Sequence, residues 1–229
     1  MSGRQRRGWS SRLGALFGVL FVFLYIARYL LPIEAETPAD SLATYDNRLA
    51  IIFGIVSTLG GIFAILYVLS LRAAIPRRGS VLTTAAVVFA IISAIVPVVV
   101  NLAALQATAS LAEVYNSSTA TAVDKAAAVV SERAVEAGEE ALFSVFIGTP
   151  IAIGLFSGSM WKSKVFPQWL TYEGFAFSAG TGVALLLVAA GVVPPGLGFA
   201  FLGLLFLWVL ASSAYLWRSD RDTASAEPQ

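Results

Sequence analysis

The stretch GLFSGSMWKSKVFPQWLTYE, residues Gly154 to Glu173, joins two apolar segments through a short basic connection. Lys162 and Lys164 lie in this connection, and Pro167 follows them. Basic residues concentrate in the cytoplasmic connections of membrane proteins, and proline favours the first turn of a helix. The stretch therefore predicts a cytoplasmic turn between two membrane-spanning helices.

The composition of the whole chain agrees with a membrane location. Of its 229 residues, 58% are hydrophobic and only 13% are charged, and the mean hydropathy is +0.80. Soluble domains carry about 25% charged residues, so a soluble chain of this length would expose a large apolar surface. The composition predicts an integral membrane protein whose principal partner is the lipid bilayer, and the apolar runs described next predict an all-α fold.

Six apolar runs are long enough to cross a hydrocarbon core, which requires about 20 helical residues. We place them at Leu13–Leu31, Leu49–Leu71, Val81–Leu105, Ala141–Trp161, Leu170–Val193 and Leu197–Trp217. A single segment in lipid must satisfy its backbone hydrogen bonds internally, so each run is predicted to be a helix of a six-helix bundle. Pro97 and Pro150 lie inside the third and fourth runs, and we expect them to bend those helices.

The charges between these runs alternate in sign, which predicts the orientation. Basic residues occupy every second connection: Arg4, Arg6, Arg7, Arg12; Arg72, Arg77, Arg78; Lys162, Lys164; Arg218, Arg221. Acidic residues dominate the others: Glu34, Glu36, Asp40, Asp46; Glu113, Asp124, Glu132, Glu136, Glu139, Glu140. The positive-inside rule then predicts a plasma-membrane protein with a cytoplasmic basic N-terminus (1–12), a transmembrane domain (13–217) and a cytoplasmic disordered tail (218–229).

The predicted external loop, residues 106–140, is long enough to hold a helix outside the lipid. Apolar residues recur there at helical spacing: Val123, Ala127, Val130, Ala134, Ala137 and Ala141. This pattern predicts an amphipathic helix that leads directly into the fourth span and packs against another helix. Asn116-Ser-Ser matches a glycosylation acceptor, although Asn and Ser also favour turns.

Four polar residues inside or beside the spans are candidates for function, because such residues are costly in lipid. We expect Arg28 to extend outward toward Glu34 or Glu36 as an anchor, with ion conduction as the alternative. Glu173 is expected to pair with Lys162 or Lys164, and a proton-coupling carboxylate is the alternative.

Asn101 lies deepest in the third span and is followed by Gln106. A buried amide in a membrane helix usually forms a hydrogen bond with a neighbouring helix, so we predict a packing role. A contact with a substrate is the alternative.

Small residues in two spans predict close helix packing. Gly154 and Gly158 form a GxxxG pair, and Ser178 and Gly182 form a second pair at the same spacing. Such pairs allow two helix backbones to approach closely. They favour tight packing within the chain and leave open a homo-oligomer or a membrane-protein partner.

The sequence offers little for catalysis or cofactor binding. It contains no Cys and no His, which excludes thiolate sites and the commonest general base and zinc ligand. Motifs for phosphate cradles, serine nucleophile elbows and zinc proteases do not occur, and the basic clusters are too short for a nucleic-acid surface. We therefore predict no enzyme activity, no catalytic residues, no cofactor, no metal and no nucleic-acid partner.

The C-terminal half carries one family resemblance. Lys162 and Lys164, then Pro167, Trp169 and Leu170, and then Gly174 mark the end of one span and the start of the next. This arrangement resembles the bacterial and archaeal membrane proteins grouped as DUF4386, over about a third of the chain. The resemblance implies a six-span layout and no particular activity.

Two classes of function remain open on these residues. The first is a non-enzymatic membrane protein that packs, senses or binds a partner through its outer acidic helix or its basic inner face. The second is a small transporter or channel for a neutral or apolar solute, because few charges lie in the spans.

Overall fold

The computed structural model describes residues 3–30, 37–75, 80–144, 148–190, 192 and 197–225. Every regular element in these ranges is an α-helix. The helices are α1 (Gly3–Tyr29), α2 (Pro38–Ala43), α3 (Asn47–Ala74), α4 (Ser80–Tyr115), α5 (Ala122–Ser144), α6 (Gly148–Ser163), α7 (Gln168–Ala189) and α8 (Leu197–Ser225). The described part of the chain is therefore all-helical, as its continuous apolar runs predict.

Five of these helices contain segments long and apolar enough to cross a membrane. The segments are Ser11–Arg28, Asn47–Ala74, Val81–Tyr115, Gln168–Leu187 and Phe201–Arg218. They correspond to predicted spans one, two, three, five and six. The predicted ends of spans one and five, at Leu31 and Val193, lie outside the described residues.

The predicted fourth span, Ala141–Trp161, covers the end of α5 and most of α6. Helix α6 has 16 residues, a rise of about 24 Å, which is shorter than a hydrocarbon core of about 30 Å. Residues 145–147, through which the predicted span continues, lie outside the described residues. Pro150 is the third residue of α6 and lies next to these residues, so the expected bend of the fourth helix stays a prediction.

Helix α4 is longer than the predicted third span. It continues from Ser80 to Tyr115, ten residues past Leu105, with Pro97 in its interior. Residues 106–115 contain neither Gly nor Pro and are rich in good helix formers, so nothing ends the helix at Leu105. The helix is about 54 Å long, which exceeds the hydrocarbon thickness by a wide margin. Helix α8 likewise continues to Ser225, beyond the start of the predicted disordered tail.

The described helices belong to two compact units. Unit 1 comprises Met1–Phe23, Gly60–Ala94 and Phe146–Gln229, and unit 2 comprises Leu24–Leu59 and Ile95–Val145. Helices α1, α3 and α4 therefore each contribute one part to unit 1 and another to unit 2.

The interior of unit 1 is a continuous apolar core with aromatic side chains at its centre. Trp208, Phe156 and Leu170 are fully buried in it. The Trp208 indole nitrogen donates to the Leu170 carbonyl at 3.2 Å, which satisfies its one polar atom. The hydroxyls of Tyr67 and Ser212 form a hydrogen bond with each other in the same core.

The basic connection between α6 and α7 is fixed to the rest of unit 1. Lys164 ends α6 in a left-handed backbone conformation with φ of 53°, and its amide donates to the Met160 carbonyl at 3.0 Å. Phe166 is buried against the ring of Tyr215, whose hydroxyl donates to the Val165 carbonyl. The two helices therefore turn at the residues that the sequence predicts.

Unit 2 contains two helices with the same type of N-terminal cap. At α2, Thr37 Oγ1 accepts from the Asp40 amide and donates to the Asp40 carboxylate. At α5, Thr121 and Asp124 repeat this exchange, and the Asp124 carboxylate also accepts from the Thr121 amide. Each Thr-x-x-Asp sequence thus satisfies backbone donors that a helix start leaves free.

The face by which α5 packs is opposite to the predicted one. Val123 is 76% exposed and Val130 is 71% exposed, although both belong to the apolar stripe expected to pack against another helix. The buried positions are Ala128 and Glu132, and Ala128 joins Leu42 and Ala112 in a small core. The prediction failed because the carboxylate of Glu132 finds hydroxyl donors on other helices, which makes the polar face the packing face.

Candidate functional site

The most enclosed charged side chain among the described residues is Glu132, which is 3% exposed. Thr108 Oγ1 lies 3.0 Å from each of its two carboxylate oxygens, and Ser41 Oγ lies 3.2 Å from Oε1. The three side chains come from α5, α4 and α2. We call Glu132, Thr108 and Ser41 the carboxylate cluster.

Helix α4 supplies one continuous face to this region of unit 2. Asn101, Leu105, Thr108 and Ala112 follow one another at spacings of four, three and four residues, which places them on one side of a helix. Asn101 and Ala112 are buried, and Thr108 is partly buried. The polar members of this face make hydrogen bonds with α1 and α5.

The structure brings together two of the predicted polar residues, Arg28 and Asn101. Arg28 Nη2 donates to Asn101 Oδ1 at 3.2 Å, and the guanidinium lies 4.7 Å from the centre of the Phe53 ring. Asn101 is 4% exposed, and its Nδ2 has no hydrogen-bond partner. Arg28 of α1 therefore binds a side chain of α4. The expected partners Glu34 and Glu36 lie outside the described residues.

Tyr45 lies beside the carboxylate cluster, in the connection between α2 and α3. Its hydroxyl donates to the Leu105 carbonyl at 3.4 Å. Partial burial, and then the negative charge of Glu132, raise the pKa of Tyr45 above its usual value of 10.0. The second cause indicates that the phenol lies within the electrostatic field of the Glu132 carboxylate.

Asn116 of the predicted glycosylation acceptor takes part in the packing of unit 2. Its side-chain Nδ2 donates to the Leu42 carbonyl at 2.8 Å. This is the nitrogen to which a glycan would be attached. The bond also fixes the end of α4 to α2.

Two predicted polar residues stand apart from these contacts. Gln106 is exposed on α4, and its carbonyl accepts from the Ser110 hydroxyl within the same helix. Both carboxylate oxygens of Glu173 are enclosed and have no hydrogen-bond partner. Lys162 and Lys164 are exposed, so the expected ion pair with Glu173 is not formed.

The predicted packing residues divide into those with and those without a close neighbour. A side-chain carbon added to Gly154 would lie 2.6 Å from Ser178 Oγ, so these two predicted residues face each other between α6 and α7. At Gly158 it would lie 3.7 Å from Leu82 Cδ1, an ordinary contact. At Gly182 it would meet nothing within 4 Å, so this glycine is not required for close packing.

Gly174 is named above only for the family resemblance. A side-chain carbon added there would have tighter contacts than at the predicted packing residues, with Ser157 and Trp208.

The carboxylate cluster was missed because Glu132 was counted only as one charge of an acidic loop. The signal was present: Ala128, Val129 and Val135 flank Glu132 on a second face of α5 that is as suited to packing as the valine and alanine stripe. The donors Ser41 and Thr108 are 91 and 24 residues away from it in the chain. No local pattern indicates that they meet.

The chemistry of the described site is that of binding. A carboxylate and two hydroxyls can accept hydrogen bonds or coordinate a cation, and no group of three or more acidic residues suited to a metal occurs among the described residues.

A separate groove of about 520 Å³ runs along α4 in unit 1 and is lined by Val81, Thr84, Ala85, Val88 and Phe89. Apart from the Thr84 hydroxyl, its lining is apolar and offers no titratable group.

Comparison with protein-family models, with curated proteins and with solved structures gives no match to this chain.

Proposed function

We propose that this chain is a non-enzymatic integral membrane protein that binds a protein partner through the exposed face of α5. It crosses the plasma membrane six times, with both termini in the cytoplasm and α5 outside. The exposed face of α5 consists of Val123, Ala127, Val130, Ala134 and Ala137, and we call it the α5 stripe.

The six-span arrangement rests on charge and on length. Basic residues adjoin the ends of the spans at every second connection, which the positive-inside rule assigns to the cytoplasm. Helix α4 exceeds the hydrocarbon thickness, which supports a location for Thr108 and Tyr115 beyond the lipid core on the opposite side. The fourth span is then α6 together with the residues that precede it.

The observation that carries partner binding is the exposure of Val123 at 76% and Val130 at 71% on a helix whose opposite face is held by hydrogen bonds. Contiguous exposed apolar surface on a folded element is typical of interaction sites. The stripe members are spaced four and three residues apart in alternation, the spacing that suits another helix. The carboxylate cluster fixes the rotation of α5 and thereby keeps this face exposed.

The absence of Cys from the sequence allows a direct test by single substitutions. Val130→Cys places a thiol on the α5 stripe, and Glu113→Cys places one at an exposed position of α4 as the matched control. In native membranes, a thiol cross-linker is expected to give a discrete larger product with Val130→Cys and none with Glu113→Cys. Equal products from both, or none from either, would contradict partner binding.

The same two variants test the orientation. A maleimide that cannot cross membranes is expected to label Glu113→Cys on intact cells without lysis. Labelling of Glu113→Cys only after the cells are opened would reverse the proposed topology. It would leave the cross-linking result unaffected, so the two parts of the proposal can fail separately.

A transporter or channel is the second candidate, and Glu173 is the observation that favours it. Its carboxylate oxygens are enclosed in the α7 span without a hydrogen-bond partner, and intramembrane carboxylates often mark solute or proton pathways. Flux into vesicles that contain the purified chain, measured for the native sequence, Glu173→Gln and Asn101→Ala, tests this function. A flux that either substitution abolishes would replace the partner-binding proposal.

A further inference from the structure

We propose that the carboxylate cluster, Glu132 with Thr108 and Ser41, is a binding site for one alkali-metal cation such as Na⁺. This site goes beyond the partner-binding function and does not depend on it. The proposal rests on three features of unit 2: the converging oxygens, the uncompensated charge and the presence of one carboxylate alone.

Four oxygen atoms from three helices converge at the cluster. They are the two carboxylate oxygens of Glu132, Thr108 Oγ1 at 3.0 Å from both, and Ser41 Oγ at 3.2 Å from Oε1. A hydroxyl has two lone pairs and a hydrogen that rotates, so Thr108 and Ser41 can turn from donating to the carboxylate to coordinating a cation beside it. Oxygen ligands of this kind suit hard cations.

The buried charge of Glu132 has no cationic partner among the described side chains. Its hydrogen-bond partners are two neutral hydroxyls. The basic residues of unit 2 make other contacts or are exposed: Arg28 binds Asn101, Lys125 lies over the Tyr115 ring at 5.3 Å, and Arg48 and Arg133 are exposed. An enclosed carboxylate without a counter-charge is unfavourable, and a bound cation would remove that cost.

The number of charges decides the class of ion. One carboxylate balances one positive charge, and no cluster of three acidic residues that suits a divalent ion occurs in the described ranges. Transition metals prefer imidazole or thiolate ligands, and the chain contains neither His nor Cys. A monovalent, hard cation fits these ligands best.

The test is thermal unfolding of the purified full-length protein in detergent, with NaCl replaced stepwise by choline chloride at constant ionic strength. A cation that binds only the folded state raises Tm with its concentration, by roughly 3–5 °C for each tenfold increase above its dissociation constant. We expect this rise for the native chain and for Glu113→Gln, which removes an exposed charge of the same unit. We expect a smaller rise for Thr108→Val.

Glu132→Gln gives the sharpest outcome because it removes the charge and keeps the shape. In choline chloride we expect this variant to unfold at a higher Tm than the native chain, and addition of Na⁺ should leave its Tm unchanged. A Tm of the native chain that is the same in both salts would overturn the proposal.

Two other results would also overturn it. One is a full Na⁺ response in Thr108→Val or in Glu132→Gln. The other is a native chain that acidification alone, in choline chloride, stabilises as much as Na⁺ does at neutral pH, since the carboxylate would then bind a proton instead of a metal ion. If Glu132→Gln does not fold, the dependence of the Tm of Thr108→Val on Na⁺ still tests the proposal.

Discussion

The two units of this protein use buried polar groups in different ways. In unit 1, buried serines donate to carbonyls of their own helix, as Ser159 does to Leu155 and Ser212 to Trp208, and Ser212 is also bonded to the Tyr67 hydroxyl. In unit 2, polar side chains bond from helix to helix, as Thr108 does to Glu132 and Arg28 to Asn101. Unit 1 therefore combines a few hydrogen bonds between its helices with close approach of helix backbones, whereas unit 2 pairs its buried charged group with polar side chains on other helices.

The largest expected effect comes from a substitution that prevents close approach in unit 1. A side-chain carbon at Gly174 would collide with Ser157 Oγ and lie 2.7 Å from the Trp208 indole nitrogen. Gly174→Leu should lower the free energy of unfolding by about 3 kcal/mol or more, because a packed core tolerates extra volume poorly. Unfolding in detergent, followed by helical circular dichroism, measures this loss.

Gly182→Leu is the matched control, because a carbon there meets nothing within 4 Å on the same helix. It should leave the unfolding free energy unchanged or slightly higher, since glycine is a poor helix former. If Gly174→Leu and Gly182→Leu lower the free energy of unfolding equally, the loss does not come from the close contacts at Gly174.

The next effect concerns the polar pairs of unit 2. Thr108→Val keeps the shape of the side chain and removes the donor that bridges both oxygens of Glu132. Hydrogen bonds to charged groups contribute about 1.5–3 kcal/mol, so a loss of about 2 kcal/mol is expected in the same assay. Ser110→Ala on the same helix removes an exposed hydroxyl bonded only within α4 and should change little. If Ser110→Ala loses as much free energy of unfolding, the hydrogen bond from Thr108 to Glu132 does not stabilise the fold more than a bond within α4 does.

A smaller effect is expected at Asn116. Asn116→Ala removes the hydrogen bond from Nδ2 to the Leu42 carbonyl and should lower the unfolding free energy by about 1 kcal/mol. Ser118→Ala also abolishes the glycosylation acceptor but leaves that bond intact. Unfolding of both variants from a host without glycosylation separates the two roles, and an equal loss in both would argue against the bond to Leu42.

The smallest effect is a pH dependence that belongs to unit 2. The raised pKa of Tyr45 means that the folded chain holds the phenol proton more tightly than the unfolded chain does. This contribution to stability is complete well below pH 10 and is lost as the pH rises through and above 10. Between pH 9 and about pH 11, the native chain should therefore lose more stability than Tyr45→Phe. Equal losses would show that folding does not raise the pKa of Tyr45.

Much of the helical framework follows from local sequence. The apolar runs predict the five candidate spans, and Lys162, Lys164 and Pro167 predict the turn between α6 and α7. Helix ends were less accurate: α4 and α8 continue past the predicted limits because no glycine or proline stops them where the hydrophobicity falls. Hydrophobicity defines the part of a helix that suits lipid, and helix propensity decides where the helix ends.

Local sequence does not predict the carboxylate cluster. Both faces of α5 contain small or branched apolar residues, so periodicity alone does not decide which one packs. The choice depends on Ser41 and Thr108, which approach Glu132 only after the chain has folded.

The sequence by itself determined that this chain is helical and apolar enough for a membrane, because hydrophobic length and the backbone's need for internal hydrogen bonds act within each segment. Only the tertiary structure decided that Arg28 binds Asn101, that Glu132 is enclosed, and that the valines of α5 stay exposed. The physical reason is that a buried polar group must find its partner wherever the fold supplies one, at any distance along the chain.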